Sequence, residues 1–194
     1  MLASITPLGE RGRQSIWAVT VAAFAFGAIA TAILLGAALG TLGEVAVPAR
    51  EDVRWAVLLV ALLAALAFDL RPRPVPGPHR QVDPGWLDRY RGWVYGVGYG
   101  AQLGLAVSTV VTSAATYAAL LAAVVCRSSL GGAAVMGCYG AVRGLTPLAA
   151  AHVRSTRQLV TIHGTLERWR ERVRGLGCVA LAVAAAGAVI GVLS

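Results

Sequence analysis

The first place to look for chemistry is an arginine set inside an apolar stretch. Arg143 lies within residues 130–151, flanked by Gly140 and Gly144 and followed by Thr146 and Pro147. A guanidinium placed centrally in a lipid-crossing helix costs about 2.5–3.5 kcal/mol on insertion scales. Such a side chain either snorkels to the interface or serves a polar cavity. Pro147 withholds a backbone N–H and frees a carbonyl one turn back, near Arg143. Arg143, Gly144, Thr146 and Pro147 therefore predict a helix distortion, the kind of break that lines working cavities in transporters. A second set is Gln102, Thr109, Thr112, Ser113 and Thr116, within an uncharged run over 96–125. If that run is one helix, steps of three, four and seven residues put these side chains mostly on one face. With Arg143, Thr146 and Pro147 they make up a polar path. The other reading is structural: hydroxyl and small residues serving only helix packing, and an arginine bonded to carbonyls. The residues alone leave both readings open.

Other chemistries lack their parts. No carboxylate lies within a span except Asp69, at its margin, so a carboxylate proton relay within the spans is not expected. Cys126, Cys138 and Cys178 form no C-x-x-C pair, and His79, His152 and His163 are dispersed. No metal site is expected. Gly96, Gly98 and Gly100 have neither the spacing nor the preceding strand of a phosphate-binding loop. The sequence predicts neither enzymatic activity nor a cofactor.

The elements that must position these residues are apolar runs. The chain has 194 residues, 57% of them hydrophobic and 13% charged, and its mean hydropathy is +0.69. Soluble domains carry about 25% charged residues, so the expected fold is all-α, a single integral membrane domain over 1–194. About 20 apolar residues span the hydrocarbon layer. Five transmembrane helices are predicted, at 16–42, 53–70, 96–125, 130–151 and 173–193. Between them lie a Pro-rich loop and interfacial segment at 71–95 and a basic loop at 152–172. Prolines at 72, 74, 76, 78 and 84 forbid a continuous helix in the first of these. Trp86, Tyr90, Trp93 and Tyr95 suit the headgroup level. A retained first helix, not a cleaved signal peptide, is expected from the length of its apolar run. Glycines four apart predict close helix packing: Gly36 with Gly40, Gly96 with Gly100 and Gly104, Gly140 with Gly144, and Gly187 with Gly191.

The formal charge of +8 comes from arginine, since lysine is absent. Five spans put thirteen arginines on one side (11, 13, 71, 73, 80, 89, 91, 154, 157, 168, 170, 172, 174) and three on the other (50, 54, 127). The positive-inside rule then places the N-terminus in the cytoplasm and the C-terminus outside the cell membrane. The expected partners are the lipid bilayer and a second copy or membrane-complex partner, not nucleic acid.

Two stretches, YGVGYGAQLGLAVSTVVTSAATYAALLA and GGAAVMGCYGAVRGLTPLAAA, resemble the second half of the CcdA/DsbD-type cytochrome c biogenesis transmembrane family, of the LysE-like superfamily. Gly98, Tyr99, Gly100 and Ala101 match its glycine-rich helix start, and Gly144, Leu145 and Pro147 its later motif. FAFGAIATAILLGAALGTLG is similar to the helix after its first cysteine helix. The resemblance implies a degenerate three-helix inverted repeat. Where the family has a Pro-Cys pair this chain has Leu105 and Ala106, and the family's first helix would precede Met1. Either a five-helix descendant or a late-placed start codon accounts for that. A thiol relay needs two thiols able to pair, so the redox residues do not carry over. The expected function is a transporter-like membrane protein moving a small solute or ion. The alternatives are a non-enzymatic subunit or assembly factor of a membrane complex, and a degenerate relative of the thiol-relay family.

Overall fold

The computed structural model describes residues 5–12, 14–71, 75–77, 85–106, 111 and 113–193. All regular structure among them is helical: α1 (Pro7–Gly12), α2 (Trp17–Ala46), α3 (Glu51–Leu70), α4 (Trp86–Arg89), α5 (Gly92–Gly104), α6 (Ala115–Val125), α7 (Ser129–Gly144), a 3₁₀ turn (Thr146–Ala150) and α8 (Thr156–Leu193). Three helical segments are long and apolar enough to cross a membrane, namely Trp17–Ala46, Glu51–Leu70 and Glu167–Leu193, and Ala115–Val125 is a shorter apolar helix.

The spine is α2. Its 30 residues extend about 45 Å, and it packs against α5, α6 and α7, while α3 packs against α6 and α8. At several points where α2 meets a neighbour, side-chain bulk is removed. A Cβ on Gly36 would strike the Gly132 carbonyl of α7, and a Cβ on Gly132 would strike the Gly36 carbonyl in return. Gly40 faces the Ser128 carbonyl, Gly43 the Val124 carbonyl, and Gly27 the Val97 carbonyl. From α5, Gly96, Gly100 and Gly104 lie against the Thr20, Phe24 and Ala28 carbonyls in turn, so α5 runs parallel to α2. On α7, Gly132 meets Gly36 whereas Gly140 meets Ala28 and Ala32, so that helix runs antiparallel. The backbones thus approach closely enough for carbonyls to meet Cα groups, as in small-residue membrane helix pairs.

The stripes at Gly36, Gly40, Gly96, Gly100, Gly104, Gly140 and Gly144 are therefore contact seams, and Gly27, Gly43 and Gly132 extend them. Gly187 is different: nothing lies within 4 Å of its Cβ position. Its partner in the expected stripe, Gly191, receives the Trp55 ring of α3. The α8 stripe is thus not a helix seam along its length, because α8 crosses α3 only at one face.

The run 96–125 is not one helix. α5 ends at Gly104, against Ala28, and α6 begins at Ala115. Ala106 already clusters with Ala32 of α2 and with Ala123 and Met136. The break therefore falls beside the middle of α2, and α5 and α6 together flank it from Thr20 to Gly43. Ala106 takes φ 61, a left-handed conformation that costs a non-glycine residue about 1–2 kcal/mol.

The expected basic loop at 152–172 is also corrected, since α8 begins at Thr156 and continues through it. Helix-favouring arginine and glutamate dominate from Glu167 to Arg174, and no proline interrupts them. At Arg174 the helix meets α3: its Nε donates to the Asp69 carbonyl at 2.8 Å and its Nη2 to the Arg71 carbonyl at 2.6 Å. A guanidinium at the open end of α3 satisfies carbonyls that the helix leaves unpaired. At the opposite end, Arg54 donates to the Val125 and Cys126 carbonyls (3.0 and 3.3 Å) and Arg127 to the Glu44 carbonyl (2.9 Å), closing α6 and α2 similarly.

Candidate functional site at the helix break

A helix that starts in an apolar layer exposes N–H groups that no preceding turn can bond. At the start of α6 these are met from α3. The Asp69 carboxylate accepts the Ala114 N–H at 2.8 Å and the Ser113 hydroxyl at 2.6 Å, and the Ser113 Oγ accepts the Ala115 N–H at 3.1 Å. The negative group also sits at the positive end of the α6 dipole.

On α6 itself, Thr116 is buried, 5% exposed, and its hydroxyl pairs with the Tyr139 hydroxyl of α7 at 3.3 Å. One turn further along α7, Arg143 donates to that same Tyr139 oxygen and lies 5.4 Å from its ring centroid. Polar groups from α3, α6 and α7 thus converge on the first turn of α6: a carboxylate from one element, and a phenol and a guanidinium from another.

The distortion expected after Arg143 is present. Its α-helix stops at Gly144 and gives way to the 3₁₀ turn with Pro147 near its start. Pro147 sits four residues beyond Arg143, so the Arg143 carbonyl loses its normal donor. The Thr146 hydroxyl replaces it at 2.7 Å.

The sequence-derived polar path is only partly assembled. Ser113, Thr116 and Arg143 gather around the α6 start. Gln102 is half-buried on α5, on the other side of the break. Thr146 and Pro147 close α7, one exposed and the other buried. Thr109 and Thr112 lie outside the described residues. Gln102 and Thr116 stand on separate helices, so helical periodicity does not put these two on one face. Asp69 and Tyr139 were not among the expected site residues. Each carries a signal: Asp69 is the one acid inside an expected span, and Tyr139 precedes Arg143 by one helical turn.

A second buried polar group lies near the N-terminus. Glu10, in α1, is 0% exposed. Its carboxylate accepts from the Thr20 hydroxyl of α2 at 2.8 Å and from the Tyr95 hydroxyl of α5. Tyr95 is itself fully buried, and Gly92 makes room there, since a Cβ would lie 2.6 Å from the Thr20 hydroxyl. A buried carboxylate requires such donors. In the sequence Glu10 stands in a short polar leader, with no apolar periodicity to mark it as interior.

Among the described residues no three His, Cys, Asp or Glu side chains group as metal ligands. Cys126, Cys138 and Cys178 are free thiols. Comparisons with protein-family models, curated proteins and solved structures find no match.

Proposed function

We propose that this chain is a polytopic membrane protein of transporter type, moving a small solute or ion past the α5–α6 break. Its N-terminus faces the cytoplasm and its C-terminus the outside. The reading is carried by one observation: a helix interrupted beside the midpoint of α2, with Asp69, Thr116, Tyr139 and Arg143 gathered at the restart. Discontinuous helices whose free ends line a site are how many transporters bind a solute in lipid, and here the restart lies level with the end of α3, at Asp69. The proposed orientation is supported by the separation of Arg54 and Arg127, at the C-terminal ends of α6 and α2, from Arg89 and Arg91 beside the α2 start.

The test uses a variant with all three cysteines replaced by alanine, into which Ser113→Cys, Thr116→Cys or Met136→Cys is introduced. Membrane-impermeant thiol reagents are applied to right-side-out and inverted vesicles. A path past the break makes Ser113→Cys and Thr116→Cys react in water while Met136→Cys, fully buried among apolar groups, stays protected. Protection of all three positions from both sides overturns the reading. The cysteine-free protein also tests the thiol-relay alternative, which requires that its loss of thiols abolish function.

The subunit alternative draws on α8. Leu176, Val179, Val183 and Ile190 are all at least 60% exposed, and Gly175, Gly177 and Gly187 face open space. Lipid suffices to cover such a face. A stoichiometric protein partner retained through purification in mild detergent favours the subunit reading instead.

A further inference from the structure

A groove of about 670 Å³ opens where the start of α2 meets the turn between α4 and α5. Arg89 and Arg91 stand in its wall with Tyr90 and Trp93, and Ile16 and Val19 of the α2 start complete it. Both arginines are exposed. Unlike Arg50, Arg54, Arg127, Arg143, Arg170 and Arg174, neither has a hydrogen bond or ion pair to another described side chain or carbonyl. Two guanidiniums therefore face one cavity with no donor spent on a described residue.

The rest of the wall describes what they would meet. Ile16 and Val19 are 70% and 48% exposed, Tyr90 and Trp93 50% and 55%. A free inorganic anion has no use for this apolar surface. A molecule with a phosphodiester at one end and hydrocarbon at the other uses both parts: guanidinium donors match phosphate oxygens, Trp and Tyr sit at headgroup depth, and the α2 start offers an apolar track.

We propose that the groove between the start of α2 and the α4–α5 turn is a binding site for an anionic phospholipid. Arg89 and Arg91 hold its phosphate, and Ile16 and Val19 contact the first part of an acyl chain. The proposal depends on the chain residing in a membrane, not on transport at the break, so each can fail without the other. On the proposed topology the groove opens to the cytoplasmic leaflet, where anionic lipids draw basic segments. The floor of the groove includes Thr20 and Tyr95, the two donors to Glu10, so an occupying lipid would rest against the pins that fasten α1 to the bundle.

The test is lipid titration of the full chain, purified in uncharged detergent, with bound lipids counted by native mass spectrometry. Phosphatidylglycerol is expected to bind with a stoichiometry of about one tightly held molecule. Arg89→Gln with Arg91→Gln is expected to weaken it about thirtyfold. Arg168→Gln with Arg170→Gln, on the exposed part of α8, serves as a charge-matched control and is expected to shift affinity less than about threefold. Gln14→Glu, which places a negative charge in the same groove with both arginines kept, is expected to weaken binding as well, and it decides the matter if the double variant does not fold. The proposal is overturned if phosphatidylcholine binds equally, if both arginine pairs lose the same affinity, or if Gln14→Glu has no effect. It is also overturned if inorganic phosphate displaces the lipid at equal concentration, which would make the groove a free-anion site.

Discussion

Asp69, the penultimate residue of α3, caps the start of α6 by accepting, at 2.8 Å, the N–H of Ala114, 45 residues later in the chain. The bond ties the restart of a broken helix to a neighbour and does not leave it to water. Asp69→Ala removes a charged acceptor from two donors, and hydrogen bonds to charged groups contribute about 1.5–3 kcal/mol. Thermal unfolding in detergent is expected to show a loss of that order. Amide exchange should accelerate first at Ala114 to Tyr117. Asp69→Asn retains an acceptor oxygen and should lose about half as much. Equal protection of those amides in wild type and Asp69→Ala would remove Asp69 from the account of the break.

The carbonyl of Arg143 gives a test by compensation. Thr146→Val leaves it without the hydroxyl that now serves it, at an expected cost of about 1 kcal/mol. Pro147→Ala restores an N–H at the position from which a helix normally supplies one. In a Pro147→Ala background, Thr146→Val should therefore cost nearly nothing. A double-mutant cycle by denaturant unfolding measures the coupling, and strict additivity would show that the two residues do not share this carbonyl.

Bare-backbone contacts make a contrast between glycines. Gly36→Val forces a side chain against the Gly132 carbonyl and the Met136 Cβ. Overpacking of this kind costs about 1–3 kcal/mol or more, and loss of folded yield is expected. Gly187→Val meets nothing within 4 Å and should change stability by less than about 0.5 kcal/mol. Size-exclusion profiles and melting of the two variants in one detergent decide it, and equal behaviour would contradict the α2–α7 seam.

Glu10 and Tyr95 should be energetically coupled. Tyr95→Phe leaves the carboxylate one donor short, and Glu10→Gln lowers the strength of what remains. Coupling of about 1–2 kcal/mol is expected between them. Glu10→Ala should in addition release α1, raising protease susceptibility before Trp17 while α2 remains folded. Unchanged proteolysis in Glu10→Ala would show that α1 is held by its apolar contacts alone.

The helices that could be read from the sequence are those whose evidence is length and composition: α2, α3 and the latter part of α8 need no knowledge of their neighbours. Glycine spacing also points to the backbone contacts on α2, α5 and α7, although the same spacing at Gly187 and Gly191 marks none. The break at Leu105–Ala114 was hidden. It contains no proline and no charge, and hydropathy carries the apolar run straight across it. What permits the break is remote: Asp69 of α3 supplies the cap, and packing against Ala32 holds Ala106 in a left-handed conformation that alanine alone disfavours. For the same reason Gln102 does not share a helix face with Thr116, since helical periodicity holds only within one unbroken helix. Arg143 was identified from its charge, but its link through Tyr139 to Thr116 depends on how α6 and α7 lie together.

The glycine contacts also divide the spine into two surfaces with unlike histories open to them. At Gly27, Gly36, Gly40 and Gly43, which face α5, α6 and α7, α2 presents main chain, and no alternative rotamer exists to absorb an added methyl group. Outward, Phe26, Leu34, Leu42 and Val45 stand free, and any greasy residue serves in their place. Mutational drift along this helix should thus be lopsided, with one side nearly frozen letter by letter and the other wandering freely within a hydrophobic alphabet.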